Sequence, residues 1–413
     1  MKTLLLVVAL CFSGAAFGQE LPAEKRAKEV IELINRNDRA AYRKYAEENF
    51  GGRWRTEVPM ERHLDFYSSV QDESRGLEYL GIEKSSKDEV TARIKTKLTG
   101  RILGLVIGVE PEAPYRIVRM GTRPAPASSA LKENKSLSDS EMAKALSLLV
   151  RKLGEADVFS GAVLLAHDGQ VVFKAAYGSA NKDFGAPNKT DTKFNLGSMN
   201  KMFTAVSIAQ LVEKGKLSFD DPLSKFLPDF PNKEDSQKIK IKHLLSHTAG
   251  LGGYFSPAWD KSSRALYRTV DDMFKRVVED EKKIAFEPGT TYRYSNSGML
   301  ILGKVIEVVS GQSYYDYVKE HIFIPAGMIN TDCYELDKVN PNLAVGYDKE
   351  FGDKGYTFTN NVFYHVLRGG PQGGGYSTVE DLLRFERALR TNKLLGAEFV
   401  NILTTAKPEL HAP

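Results

Sequence analysis

The spacing of hydrophobic and polar positions changes along the first part of the chain. Apolar residues at 30–34 form a stripe typical of an amphipathic helix, and residues 40–50 favour a second helix. Four short stretches bounded by Gly and Pro then have the character of strands, at 78–84, 89–98, 103–110 and 115–120. Helices followed by strands predict a small α+β domain over residues 20–122, with the helices on a curved antiparallel sheet.

Residues 123–138 have a composition that cannot build a core. Pro124, Pro126 and a run of Ser and Ala residues predict an interdomain linker there. After it, an amphipathic helix at 138–153 precedes two strands joined by Asp168-Gly169, a pair that favours a tight hairpin turn. A chain of 413 residues exceeds one ordinary core, so a second domain is expected over residues 139–413.

The first residues have the pattern of an export signal. Lys2 precedes an apolar run at 4–12, and small residues lead to Gly18, so residues 1–18 are predicted to be a cleaved signal peptide. We therefore expect a secreted or periplasmic protein. No later apolar run reaches the roughly 18 residues that span a bilayer, so the mature chain is predicted to have no transmembrane segment. Cys333 is then the only cysteine left, which excludes an internal disulfide.

Composition and charge limit the kinds of molecule that this protein is expected to bind. The net charge of +4 comes from 57 basic and 53 acidic residues spread without blocks, which gives no footprint for nucleic acid. Hydrophobic residues at 42% and charged residues at 27% are typical of a globular protein. A small molecule or a peptide is the expected substrate.

The first candidate for chemistry is Ser198 with Lys201. A hydroxyl needs a base before it can attack, and a lysine three positions later on a helix lies on the same face. Residues 202–212 are apolar nearly all round, so this helix is predicted to be buried. The positive end of the helix dipole would stabilise an alkoxide on Ser198. The same dipole and burial would both disfavour the charged form of Lys201, so its amine would be neutral. The alternative is a helix cap with a surface lysine, and a second S-x-x-K at Ser129 to Lys132 shows that the spacing alone does not decide.

The second candidate is the triplet from Tyr294 to Asn296, which follows a turn at 287–289 and precedes a predicted helix. A phenol next to a lysine can carry a proton to a leaving group. The amide of Asn296 can hold a substrate carbonyl or amide. A core tyrosine and an asparagine helix cap are the alternatives.

Together, these two motifs resemble those of the penicillin-recognising serine hydrolases, the family of class C β-lactamases, DD-peptidases and related esterases. Further stretches similar to the family occur at 244–251, 288–298, 322–328 and 373–382. The resemblance extends over roughly residues 140–405. The element order before the linker resembles the NTF2-like fold, although a spacer domain without that fold is an equal alternative.

The family resemblance implies a fold and a set of roles. It implies a β-lactamase/transpeptidase-like domain of the α+β class, with an all-helical subdomain and an antiparallel sheet. Ser198 would be the acylated nucleophile, Lys201 its base, Tyr294 the proton carrier and Asn296 a substrate-binding residue. The function implied is a secreted serine hydrolase that is acylated by an ester, a β-lactam or a D-Ala-D-Ala-type amide.

The third motif of the family has no counterpart in the sequence. K-[ST]-G, H-[ST]-G and H-G-G do not occur after Asn296, where the histidines are His321, His365 and His411. Either a fragment or a natural truncation would explain this. We expect the hairpin near Asp168 to lack strand partners, and a catalytically impaired or non-catalytic cell-wall or peptide-binding homologue is the alternative function.

Two further patterns are weaker. His243 and His247 stand four positions apart, but no H-E-x-x-H pattern or third ligand accompanies them, so a structural role is favoured over a metal site. The glycines between 369 and 375 lack the strand and lysine of a phosphate-binding loop. The sequence therefore predicts no metal and no cofactor.

Overall fold

The computed structural model describes residues 20–125, 137–281 and 283–410. These fall into two compact units: the chain up to Lys135 with Glu350–Thr357, and Ser136–Lys349 with Phe358–Pro413. The predicted signal peptide, most of the predicted linker, the second S-x-x-K motif and His411 lie outside the described residues. The boundaries 1–18, 20–122, 123–138 and 139–413 stay predictions.

The first unit begins with helices and continues with strands, as the element order predicts. The helices are α1 Pro22–Arg36, α2 Arg39–Asn49, α3 Gly52–Thr56 and α4 Met60–Ser74. The strands are β1 Leu77–Ser85, β2 Glu89–Thr96, β3 Ile102–Val109 and β4 Ile117–Pro124. They form an antiparallel meander in sequence order, so the predicted small α+β fold is confirmed.

The core of this unit lies between the helices and one face of the sheet. Tyr42 of α2 stacks on Tyr67 of α4 with ring centroids 4.2 Å apart, and both rings are almost fully buried. Val90 of β2 and Ile107 of β3, which are paired across the strands, are fully buried in the same cluster. The NTF2-like likeness stays a prediction.

The second unit is mainly helical. Its helices are α5 Asp139–Glu155, α6 Lys201–Glu213, α7 Lys233–Lys238, α8 Ile241–Leu245, α9 Pro257–Lys261, α10 Val270–Asp280, α11 Asn296–Ser310, α12 Tyr314–Val318, α13 Ile324–Ala326, α14 Val379–Arg390 and α15 Ala397–Thr404. The strands that follow β4 along the chain are β5 Gly161–His167, β6 Gln170–Tyr177, β7 Ser179–Asn181, β8 Ala186–Pro187, β9 Phe194–Asn195, β10 Tyr347–Gly352, β11 Gly355–Asn360 and β12 Tyr376–Ser377. The chain leaves this unit within β10 and returns within β11.

The hairpin of β5 and β6 turns at Asp168 and Gly169, which both have positive φ, as the Asp-Gly pair predicts. In the part of the chain that the structure describes, β5 pairs with β6 alone. None of the helices described there is long and apolar enough to cross a bilayer.

Two buried helices run through the core of the second unit. Phe203 and Ile208 of α6 are fully buried, as are Leu300 and Ile301 of α11. The two helices pack against each other, and their first residues, Lys201 and Asn296, are hydrogen-bonded. The prediction of a buried helix after Ser198 is therefore confirmed. Because both helices begin on the same side of the core, the residues at their first turns come together.

Candidate active site

Ser198 lies in a 3₁₀ turn, Gly197–Asn200, that leads directly into α6. The turn is anchored by hydrogen bonds from the Gly197 N–H to the Asn195 side-chain oxygen at 2.8 Å and from the Gly374 N–H to the Gly197 carbonyl at 3.2 Å. The first N–H groups of a helical segment have no intrahelical acceptor, and the helix dipole adds positive potential there. An oxygen that gains negative charge at Ser198 is therefore stabilised by the backbone.

Lys201 is the first residue of α6, and its side chain is buried, with 8% of the residue exposed. Its Nζ lies 3.0 Å from Ser198 Oγ and 2.8 Å from Asn296 Oδ1, and it also hydrogen-bonds to the carbonyl oxygen of Gln372. Burial lowers the pKa of Lys201 because the charged amine loses water. A neutral Nζ can donate to Asn296 and Gln372 and direct its lone pair at the Ser198 hydroxyl.

Tyr294 approaches the same hydroxyl from the other side. Its phenol donates to Ser198 Oγ at 2.7 Å, and Lys201 Nζ lies 4.9 Å from the centre of its ring. Tyr294 is 45% exposed, so this is the side of the site that opens to solvent. Ser198 Oγ thus lies between two groups that can exchange protons with it.

Asn296 is the first residue of α11, and the sequence left open whether it only caps that helix. Ser295 has that role, because its Oγ accepts the Gly298 N–H at 2.9 Å. The Asn296 side chain is therefore free to accept from Lys201, and its amide N–H₂ remains as a donor. The structure brings together all four residues that the sequence singled out: Ser198, Lys201, Tyr294 and Asn296.

The loop from Gly369 to Gly375, whose glycines the family resemblance implies to lie near the cleft, supplies the Gln372 carbonyl. Asn200 Nδ2 donates to the Gly370 carbonyl at 2.7 Å, and Thr204 Oγ1 donates to the Pro371 carbonyl at 2.9 Å. Both donors belong to the turn and helix that carry Ser198. The loop is thereby fixed against the nucleophile's own helix.

His247 is the other residue that the motifs did not place in the site. Its ring lies against Tyr294, with centroids 4.6 Å apart and planes at 35°, and its Nδ1 accepts the Ser295 N–H at 3.2 Å. Burial and the charge of Lys201 lower the pKa of His247 to about 4. His243 points elsewhere, with Nδ1 on the Lys240 N–H at 3.2 Å. Over residues 20–125, 137–281 and 283–410, no three His, Cys, Asp or Glu side chains group as metal ligands.

A serine, a lysine and a tyrosine at the start of two buried helices define the class of the penicillin-recognising serine hydrolases. Residues 146–409 match the family model described as Beta-lactamase, and the chain belongs to that family. The resemblance seen in the sequence is confirmed. The family is one of serine hydrolases.

Individual relatives agree with this. Penicillin-binding protein 4* of Bacillus subtilis (strain 168) is 36% identical over 258 residues, which cover 60% of this chain and 55% of the relative. The teichoic acid D-alanine hydrolase of Staphylococcus aureus is 28% identical over 289 residues, covering 70% and 67%. A crystal structure of a penicillin-binding protein from Bacillus halodurans superimposes with a TM-score of 0.56 at 34% identity, covering 62% of this chain and 77% of that one. The chain spans little more than half the length of the Bacillus subtilis relative.

Proposed function

We propose that this protein is a serine hydrolase that forms an acyl-enzyme on Ser198. The observation that carries the proposal is the position of Ser198 Oγ, 3.0 Å from Lys201 Nζ and 2.7 Å from the phenol oxygen of Tyr294. A nucleophile in hydrogen-bond contact with a base and with a second proton carrier is the arrangement that covalent acyl transfer requires.

The roles follow from the donors and acceptors. Neutral Lys201 takes the proton of Ser198 as Oγ attacks the substrate carbonyl, and N–H groups at the start of α6 stabilise the oxyanion that forms. Tyr294 donates a proton to the leaving group as the carbon–heteroatom bond breaks, and the phenolate recovers a proton from the ammonium of Lys201, which lies beside its ring. Asn296 holds the substrate with its free amide N–H₂. Water then gives a proton to neutral Lys201 as it attacks the ester, and Lys201 returns that proton to Ser198 Oγ as the bond to the acyl carbon breaks and the acid leaves.

The substrate class proposed is a D-alanyl ester or amide, with β-lactams as reactive analogues. Its support comes from relatives whose names include penicillin binding and teichoic acid D-alanine hydrolysis. Such substrates occur outside the cytoplasmic membrane. A secreted or periplasmic location is therefore part of the proposal, supported also by the signal peptide predicted at residues 1–18.

A fluorescent penicillin and a fluorophosphonate probe test the nucleophile. The wild-type protein should be labelled and Ser198→Ala should not be. Ser129→Ala is the matched control, because it removes the serine of the other S-x-x-K, and it should be labelled like the wild type. Peptide mapping should place the adduct on Ser198. A folded wild-type protein that stays unlabelled, or equal labelling of Ser198→Ala, would refute the proposal.

Turnover distinguishes the enzyme from a binding homologue. Release of D-alanine from a D-alanyl ester should be catalytic, faster than release of L-alanine from the L-ester, and absent in Ser198→Ala. A stable adduct with no turnover of any ester or amide would favour the peptide-binding alternative.

A further inference from the structure

His247 has a backbone conformation that a histidine seldom adopts. It follows α8, and the Thr248 N–H bonds to the His243 carbonyl at 2.8 Å while the His247 N–H bonds to the Leu244 carbonyl at 3.4 Å. This is the Schellman pattern of a helix end, whose next residue is left-handed and is usually glycine or asparagine. His247 has φ +58 there. A strained residue beside a reactive group suggests that its side chain has a use.

His247 accepts hydrogen bonds from the residues immediately before and after Tyr294. Its carbonyl oxygen accepts the N–H of Arg293 at 2.9 Å, and its Nδ1 accepts the N–H of Ser295 at 3.2 Å. The residue before Tyr294 and the residue after it are thus both held by one histidine. The backbone at Tyr294 has little freedom to shift relative to α8.

The imidazole also supports the phenol ring directly. It lies at a shallow angle to Tyr294, and Tyr292 meets its edge at 6.1 Å and 88°. Tyr294 is 45% exposed, so the imidazole covers part of a ring that is otherwise open to solvent on one side. The charged or titratable groups near the imidazole are Lys201, Tyr292 and Tyr294. Arg293 lies between the two tyrosines in the chain, and its backbone N–H bonds to the His247 carbonyl. The acceptor role of Nδ1 requires a neutral ring, and burial next to Lys201 keeps it neutral above about pH 4.

We propose that His247 is a positioning residue that holds the phenol of Tyr294 against Ser198 for proton delivery to the leaving group. This inference rests on the proposed function of Ser198 and Tyr294. His247 itself does not contact the reacting atoms. Its effect should therefore depend on how much the leaving group needs a proton.

Two esters with the same D-alanyl group test this. Nitrophenolate leaves without protonation, whereas methoxide needs a proton. In His247→Gly, kcat for the methyl ester should fall roughly tenfold to a hundredfold with KM little changed, a loss at the low end of what general acid–base catalysis contributes. The fall for the nitrophenyl ester should be clearly smaller. A structural defect would lower both rates alike.

Variants keep the test sharp. His247→Asn tolerates the left-handed conformation and places an acceptor near the Nδ1 position, so it should recover part of the methyl-ester rate. It also carries the test if the glycine variant does not fold. His243→Asn is the matched control, and both rates should stay near those of the wild type.

The outcomes separate the two proposals. Wild-type methyl-ester turnover by folded His247→Gly and His247→Asn, or an equal fall on both esters, would overturn the role of His247 alone. Hydrolysis of both esters by Ser198→Ala at the wild-type rate would instead overturn the proposed nucleophile, and with it the role of His247.

Discussion

At the scale of single residues, the site depends on the surroundings of one amine. Lys201 Nζ has three oxygen neighbours, and two of them, Asn296 Oδ1 and the Gln372 carbonyl, can only accept hydrogen bonds. The neutral amine satisfies both and still has a lone pair for Ser198. The charged amine has no such lone pair and cannot act as a base.

Lys201→Met should abolish labelling by the fluorescent penicillin, because no base remains next to Ser198. The substitution removes a buried polar amine, but Asn296 and Gln372 lose a donor, so the two effects on stability oppose each other. We expect a thermal midpoint within about 4 °C of the wild type, since 1 kcal/mol shifts a domain of this size by about 2–4 °C. Labelling at the wild-type rate would refute the assignment of the base.

The pH dependence of acylation should follow Lys201. Its pKa is below the usual 10.5, so the active neutral form accumulates as pH rises through that lowered value. The same shift means that the unfolded chain binds more protons than the folded one between the lowered pKa and 10.5, so stability also rises with pH in that window. Acylation rates measured across pH 5–10 should rise with pH. A rate that falls over this range would contradict the assignment of neutral Lys201 as the base.

The sequence could point to Ser198 and Lys201 because helical spacing places them on one face. It could point to Tyr294 and Asn296 because they form a short motif before a predicted helix that resembles a motif of the family. It could not point to Gln372, whose contribution is a backbone carbonyl that every residue carries, 171 positions from Lys201. For His247, the spacing to His243 drew attention to metal binding. Its contact with Tyr294 depends on a left-handed helix end, which the four-residue spacing does not predict.

At the scale of elements, the two ends of the glycine loop from 369 to 375 pack closely against each other. A methyl group on Gly369 would lie 2.2 Å from the backbone of Gly374. Asn200 and Thr204 fix the same loop to the helix of Ser198. The position of the Gln372 carbonyl therefore depends on the absence of a side chain at 369.

Gly369→Ala should destabilise the protein by roughly 1–3 kcal/mol and slow acylation, since the loop must move to admit the methyl group. Gly352→Ala is the control, because a methyl group there meets nothing within 4 Å, and its effect should be within about 0.5 kcal/mol. Denaturant melts and labelling rates measure both. Equal behaviour of the two variants would contradict the role given to the loop.

Helices and strands with a regular hydrophobic periodicity could be predicted from the sequence. Pairings between very short strands that are far apart in the chain could not. The four strands before the linker and the helix after Ser198 follow from alternation and apolar runs. The pairing of β9 with β12 joins two-residue strands, at 194–195 and 376–377, that no period could reveal. That pair nevertheless comes shortly before Ser198 and directly after the glycine loop in the chain, so it ties these two segments together.

At the scale of the whole molecule, the described residues contain two separate hydrophobic cores. Ile107 is fully buried in the core of the first unit, and Ile301 is fully buried in that of the second. The length of the chain and its Pro-rich segment predicted two domains. Nothing in the sequence indicated that Glu350–Thr357 would group with the first unit.

Replacing either isoleucine by alanine should cost about 2–5 kcal/mol in its own core. Ile107→Ala should lower one unfolding transition and leave the labelling rate unchanged at a temperature where the second unit is folded. Ile301→Ala should lower the other transition and slow labelling, because α11 carries Asn296. Calorimetry with parallel labelling checks both, and an equal loss of labelling would argue against separate cores.

The oxygens around Lys201 also bear on its reaction with carbon dioxide. A neutral lysine amine can add carbon dioxide to give a carbamate, which is an anion. Here that anion would lie next to the carbonyl oxygen of Gln372, which would repel it. The free amine should therefore persist in air, and added bicarbonate should leave the rate of acylation unchanged.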